Sequence, residues 1–363
     1  MAIVRLFSIL AKWKGSLTLE FNAYSPSDSK HWFPNCYFGA PDEDKFECQP
    51  IQRAEPAHHI VVAPPDNALR RAFEIGGPLF GDELVPVQMV RKFILRRQCR
   101  RQFGAEMLLQ ILPKFPRLEE IIYEPWVLHF GPIQYIWDRG YNEMINRLPP
   151  NVKRVTVFED FNESYLELLD LGRSDFRDHK PKRVRVACPI LGLSFASRSR
   201  EREHLSVAFM IDARHFFDAC QPCWTWPKLQ TLTLTSREMI KPDGRETNKL
   251  LQEVARVALN MSQLQTLTIW YGERKEACAF TYRRKDRTIY WQGNRDIVLE
   301  SNTLEAWEKV AVKHSGMVLL VEKSLFAAGI TSHGDAVHHL GLPHVVDKVS
   351  LQQIRAENTV SWL

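Results

Sequence analysis

Residues 229–235 read LQTLTLT, and residues 264–270 read LQTLTIW. Laid over one another, Leu229, Leu232 and Leu234 fall on Leu264, Leu267 and Ile269. The shared pattern is apolar-x-x-apolar-x-apolar, and its closing alternation is that of a half-buried strand. Adjacent strands of a parallel sheet must send the same positions to the same side, which is why a chain would repeat the phrase.

The pattern recurs upstream. VRKFILRRQ supplies Val90, Phe93 and Leu95; LEEIIYEPW supplies Leu118, Ile121 and Tyr123; VKRVTVFED supplies Val152, Val155 and Val157. Fainter copies are KRVRVACP from Lys182, HLSVAFMID from His204 and SLTLEFNAYS from Ser16. Between them, residues 105–115, 133–148 and 247–261 have helical spacing; in the last, Leu250, Leu251, Val254, Val257, Ala258 and Met261 form one stripe. Strands opening Leu-x-x-Leu-x-Leu and followed by helices predict an α/β chain with a parallel sheet and helices on its outer side. The loose period gives it the form of an irregular leucine-rich-repeat-like solenoid, with an ordinary doubly wound α/β domain as the alternative.

The expected organisation is one elongated repeat domain over 1–363. It starts with a helix–strand unit (1–38), whose helix carries Leu6, Ile9, Leu10 and Trp13 on one face. A proline- and charge-rich excursion (39–88) and repeat units (89–272) follow. Residues 273–363 form a cap: an antiparallel hairpin with Cys278, Phe280 and Tyr282 against Ile289 and Trp291, then helices.

Bulk properties narrow the function. The 48 basic and 43 acidic residues nearly balance, at a net +5, so no strong field invites a polyanion. Seven scattered cysteines, with no signal-peptide pattern at the N-terminus, predict an intracellular protein. No stretch of about 18 apolar residues is present to span a membrane.

Several phrases resemble a family of filamentous-fungal proteins of unknown function, described as F-box-associated or leucine-rich-repeat-like. They are AYSPSDSKHWF, FILRRQCRRQF, RLEEIIYEPW, VTVFEDFNESY, WPKLQTLTLTS, AWEKVA and ITSHGDAVHHL, spread from about Phe7 to Arg355. The resemblance implies an interaction protein, with substrate recognition for a ubiquitin ligase where an F-box docks on the ligase adaptor. No F-box pattern precedes the first strand, so the adaptor is an expected partner only with such a module upstream. The family carries no catalytic set to transfer.

Candidate sites follow from residue chemistry. CQPC at Cys220 and Cys223 has the spacing of metal ligands, but a second pair is missing, so two structural cysteines are expected. SHGDAVHHL groups His333, Asp335, His338 and His339, which would serve an enzyme of unrecognised type; the plainer reading is a helix capped by Ser332. Arg91, Lys92, Arg96, Arg97, Arg100 and Arg101 would grip phosphates in the nucleic-acid reading, but Phe93 and Leu95 make the stretch a strand that splits its charges. No nucleophile elbow, phosphate loop or zinc-protease motif occurs, and neither cofactor nor metal is expected.

What remains is the face of the sheet opposite the helices. The intervening residues point there: Ile94 and Arg96, Ile122 and Glu124, Thr156 and Phe158, Arg185, Thr231 and Thr233, Thr268 and Trp270. Arg96, Ile122, Glu124, Phe158, Arg185, Thr233 and Trp270 are therefore the candidate partner-binding set; Phe158 and Trp270 are either its aromatic anchors or, if a helix or residues 39–87 cover them, core residues. The sequence reading is a non-enzymatic module that presents a concave sheet to a protein partner.

Overall fold

The computed structural model describes residues 2–23, 74–75, 80, 83–99, 102–127, 131–161, 185–342 and 344–357. The strands are β1 (Leu17–Glu20), β2 (Glu74–Ile75), β3 (Val90–Leu95), β4 (Gln102–Phe103), β5 (Glu120–Tyr123), β6 (Arg154–Phe158), β7 (His204–Ala208), β8 (Thr231–Thr235), β9 (Thr266–Glu273), β10 (Glu276–Arg283), β11 (Thr288–Gly293) and β12 (Leu320–Leu325). Nine α-helices accompany them among the described residues: α1 (Ala2–Leu10), α2 (Ala105–Ile111), α3 (Gly131–Asn146), α4 (Pro189–Ser199), α5 (Ala213–Asp218), α6 (Arg245–Ala258), α7 (Ser301–Ser315), α8 (His333–His339) and α9 (Lys348–Glu357).

Ten strands form one open sheet in the order β1-β3-β5-β6-β7-β8-β9-β10-β11-β12, with β2 and β4 paired separately. From β1 to β9 every neighbouring pair is parallel; β10 runs antiparallel to β9 and β11, and β12 is parallel to β11. The fold is thus mixed α/β on a mostly parallel sheet. The opening phrases are adjacent strands, with Leu232 opposite Leu267 and Leu234 opposite Ile269.

That register extends across the sheet. Phe93, Ile121, Val155, Leu205, Leu232 and Leu267 form one row, and Leu95, Tyr123, Val157, Val207, Leu234 and Ile269 the next. Both rows are buried. Successive helices pack on one another in chain order, α2 on α3, α3 on α4, α4 on α5, α5 on α6 and α6 on α7. The hairpin joins the same layer: Phe280 pairs with Trp291, Tyr282 with Ile289, and the Trp307 ring of α7 lies 4.9 Å from Phe280 and 5.2 Å from Tyr282. The full stripe read for α6 is buried, Met261 included.

Two local expectations are corrected. In α1 the buried residues are Phe7 and Leu10, while Ile9 and Trp13 are exposed, because Phe7 stacks on Phe115 at 5.3 Å. Residues 185–188 of KRVRVACP form no strand, and β6 pairs directly with β7. Arg185 turns into buried ion pairs instead, and residues 182–184 lie outside the described residues. Of the 39–88 excursion, only 74–75, 80 and 83–88 are described.

The face opposite the helix layer is not open along its whole length. Residues 331–357, carrying α8 and α9, cross it, and α8 packs on β9 and β10. The approach is close because Gly272 lies there: a Cβ on it would collide with the Ala336 Cβ. One hydrophobic core runs from Phe7 to Ile354, the latter on α9.

Candidate functional site

Past the carboxyl ends of β3, β5 and β6 the register brings charged residues side by side: Arg96 and Arg97, then Glu124, then Glu159 and Asp160. Carboxyl ends of parallel strands are where open α/β sheets gather functional groups. The ladder continues here in backbone bonds, with Glu124 N–H donating to Leu95 O (2.8 Å), Asp160 N–H to Pro125 O (2.7 Å) and Val127 N–H to Asp160 O (2.8 Å).

Arg97 and Asp160 are fully buried and joined by an ion pair from Arg97 Nε to Asp160 Oδ2. The other oxygen, Oδ1, takes His333 Nε2 at 2.8 Å and the Phe161 N–H at 2.9 Å. The Arg97 guanidinium stands over the Trp126 ring, 4.7 Å from its centroid, and the Trp126 indole N–H donates to Arg97 O at 2.8 Å. Burial alone would raise the Asp160 carboxyl; Arg97 and His333 outweigh it and hold the group below the ordinary carboxylate range.

Glu124 ties the crossing segment that carries α8 and α9, the arm, to the sheet. Its carboxyl accepts from Asp347 N–H (2.7 Å), Arg97 N–H (3.1 Å) and the Ser350 hydroxyl. Arg96 adds an external clasp, bound by Nε and Nη2 to Glu20 at 2.7 and 2.6 Å and by Nη1 to Asp347 at 3.3 Å. Around His333 lies an aromatic wall: its ring stacks on Phe161 at 4.1 Å and on Phe158 at 5.9 Å, and Phe209 joins His333 to Trp270. Phe209 holds a left-handed φ of 64°, unusual for a bulky residue, and its N–H bonds Thr235 Oγ1 at 2.7 Å.

A second charged group lies beside the first. Arg185 binds Asp138 through Nη2 and Glu159 Oε1 through Nη1 at 3.0 Å, with all three residues buried. One cation cannot neutralise two carboxylates, and burial drives Glu159 well above the ordinary carboxylate range. Tyr123 and Tyr141 join hydroxyls next to it at 3.0 Å.

The partner-binding set is therefore reassigned. Glu124, Phe158, Arg185, Thr233 and Trp270 are buried, Phe158 and Trp270 completely, and Arg96 is sequestered in ion pairs. The arm covers the carboxyl half of this face, so the two aromatics are core residues, not anchors open to solvent. Arg185 is not on the sheet. Ile122 and Thr156 remain half-buried, next to a partly exposed row in which Lys92 and Arg154 both pair with Glu120, at 2.7 and 2.9 Å, and in which His204 meets His344.

The other motifs separate too. His333 points inward to Asp160, His338 is exposed, and His339 stacks on Phe326 at 5.8 Å. Ser332 caps α8 by accepting the Asp335 N–H, and Asp335 pairs with Arg355. Arg91, Lys92, Arg96 and Arg97 all pair with acids of this chain, leaving little charge free for phosphates, while Arg100 and Arg101 lie outside the described residues. Cys220 is buried, its thiol donates to Phe216 O and burial pushes it up to about 12; Cys223 is exposed. Among the described residues no group of three or more His, Cys, Asp and Glu is placed to hold a metal ion.

Glu124 gives the cluster a pH dependence. Burial, against hydrogen bonds from Ser350 and Asp347, lifts its carboxyl from 4.5 to about 7. A group raised on folding contributes stability that is fully present below pH 4.5 and is lost as the pH rises through about 7. Between pH 5 and pH 8 the protein should lose about 2 kcal/mol relative to Glu124→Gln, which cannot titrate. Urea midpoints of both proteins at both pH values isolate this residue, since all other titrations are common to the pair. Equal pH slopes would mean that Glu124 stays ionised throughout.

None of the strand-end acids is marked by a motif; the signal available was the run of charges directly after apolar strands, in LRR, YEPW and FEDF. No curated protein matches the chain. A family model described as a family of unknown function, DUF6546, matches residues 147–347, which include Asp160, Arg185, Trp270 and His333. That span is more than half of the chain, which therefore belongs to the DUF6546 family.

Proposed function

We propose that this chain is a non-enzymatic protein-interaction module, a leucine-rich-repeat-like array that recognises a polypeptide on the sheet face opposite its helices. Linked to an F-box, it would be the substrate-recognition part of a ubiquitin ligase. The observation that carries the reading is that this face already grips a polypeptide, its own segment 331–357. It does so through a strand-end acid on a backbone N–H and arginines on side chains, from Asp347 N–H to Glu124 and from Arg96 to Asp347. Among the described residues the partly exposed patch of Lys92, Glu120, Arg154 and half-buried Ile122 is the surface left for a partner. The in-register strands support an array in which each unit lends one position to a shared surface.

The test is affinity capture from cells that express the protein, comparing the wild type with a Lys92→Glu/Arg154→Glu variant. These side chains are partly exposed, so the variant should melt within a few degrees of the wild type. Loss of about tenfold in the enriched partner is expected. Equal recovery from a folded variant would remove this face as the recognition surface. Binding of the purified ubiquitin-ligase adaptor, measured separately, decides the F-box setting.

A further inference from the structure

At the far end of the sheet, β12 has one edge with no neighbouring strand among the described residues. Leu320 N–H donates to Arg287 O (2.8 Å) and Phe326 N–H to Gly293 O (3.0 Å), so the even-numbered residues bond inward to β11. The N–H and C=O groups of Val321, Lys323 and Leu325 therefore face outward along an unpaired edge. Apolar side chains gather here: Leu320 and Val321 are each 47% exposed, Leu325 55%, and Met317 and Val318 more than half. A trough of about 400 Å³ runs between β12 and α7, floored by Leu304, Leu319 and Val321 and edged by Glu305, Glu308 and Lys309. Soluble proteins blunt free edges of this kind or use them.

A second copy fits this edge poorly. Antiparallel pairing must set outward-bonding residues opposite outward-bonding residues. Two-fold registers centred on the strand then place Lys323 against Lys323 or Glu322 against Glu322. Shifting the centre one residue toward either end places Glu322 against Leu320 or Phe326 instead. Lys323 is already satisfied by Asp296 at 2.9 Å, whereas Glu322 is exposed. Glu322 alternates with Val321 to the face opposite α7, and its exposed carboxylate favours a cation there.

We propose that β12 is a strand-addition site that takes an extended peptide of another protein, with apolar residues over Val321 and Leu325 and a basic residue opposite Glu322. The backbone row supplies affinity and the alternating side chains supply selectivity. The surface is separate from the one assigned to the proposed function, and either assignment stands without the other.

The experiment is a heptapeptide array with an alternating valine–threonine frame and a scanned central residue, probed with the full chain. Central lysine or arginine should bind about tenfold better than aspartate or glutamate, and Glu322→Lys should reverse the preference. Val321→Pro removes one outward N–H while leaving the β11 ladder intact, and it should abolish binding with an unchanged circular-dichroism spectrum. Because Val321→Pro can perturb the strand, Glu322→Lys is the independent arm. No binding anywhere on the array, or binding indifferent to the central charge, overturns the proposal. So does a concentration-dependent dimer that Val321→Pro dissolves, since the edge would then serve a second copy.

Discussion

Asp160→Asn is expected to lower the stability of this protein by about 3–5 kcal/mol. Asparagine keeps the shape and the acceptor for the Phe161 N–H, but it removes the buried carboxylate charge that pairs with Arg97 Nε. His333 loses the carboxylate at 2.8 Å in the same step. The pair itself need not add net stability over an apolar replacement, because burying both charges is costly; breaking it is what costs so much. Arg97→Met with Asp160→Leu should therefore recover part of the loss, short of full recovery because His333 and the Phe161 N–H also use Asp160. Urea unfolding of the three proteins measures this, and a loss below about 1 kcal/mol for Asp160→Asn would show that Arg97 has another route to neutralisation. Acid should produce a related effect. The carboxyl is depressed on folding, so its contribution is present at neutral pH and lost as the pH falls through the folded value.

Trp270→Ala is expected to cost about 3–5 kcal/mol, through a cavity beneath α8 that the surrounding rings fill only partly. Trp270 has no exposed surface, meets Phe209 at 5.3 Å and underlies the Gly272–Ala336 approach. An interface anchor would behave differently, losing partner affinity at unchanged melting temperature. The two outcomes are separated by one thermal melt alongside one binding assay. Hydrogen exchange should localise the damage, with α8 and α9 losing protection before α3 or α6, because the arm rests on these aromatics and the helix layer does not.

The strands could be read from the sequence because their rule is local. An inward apolar residue every second position, as in Leu232/Leu234 and Leu267/Ile269, fixes which side chains share a face and hence the register. The α6 stripe and the Phe280–Trp291 hairpin pair were legible for the same reason. The same alternation placed Ile122, Thr156, Phe158 and Trp270 on the face opposite the helices, which side-chain direction alone decides.

What covers that face is not a local property. Asp160 and His333 are 173 residues apart in the chain, Glu124 and Ser350 226, and Arg96 and Asp347 251. In sequence, LRR, YEPW and FEDF look like solvated charges after strands, because nothing nearby provides the opposite charge that makes burial tolerable. Periodicity was enough for a mostly parallel α/β sheet with two distinct faces and the side chains each would carry. That residues 331–342 and 344–357 lie across one of them, making Phe158, Trp270 and a set of charges core, came from contacts far apart in the chain. Periodicity encodes where a side chain points, and burial depends on what arrives from the far end of the chain.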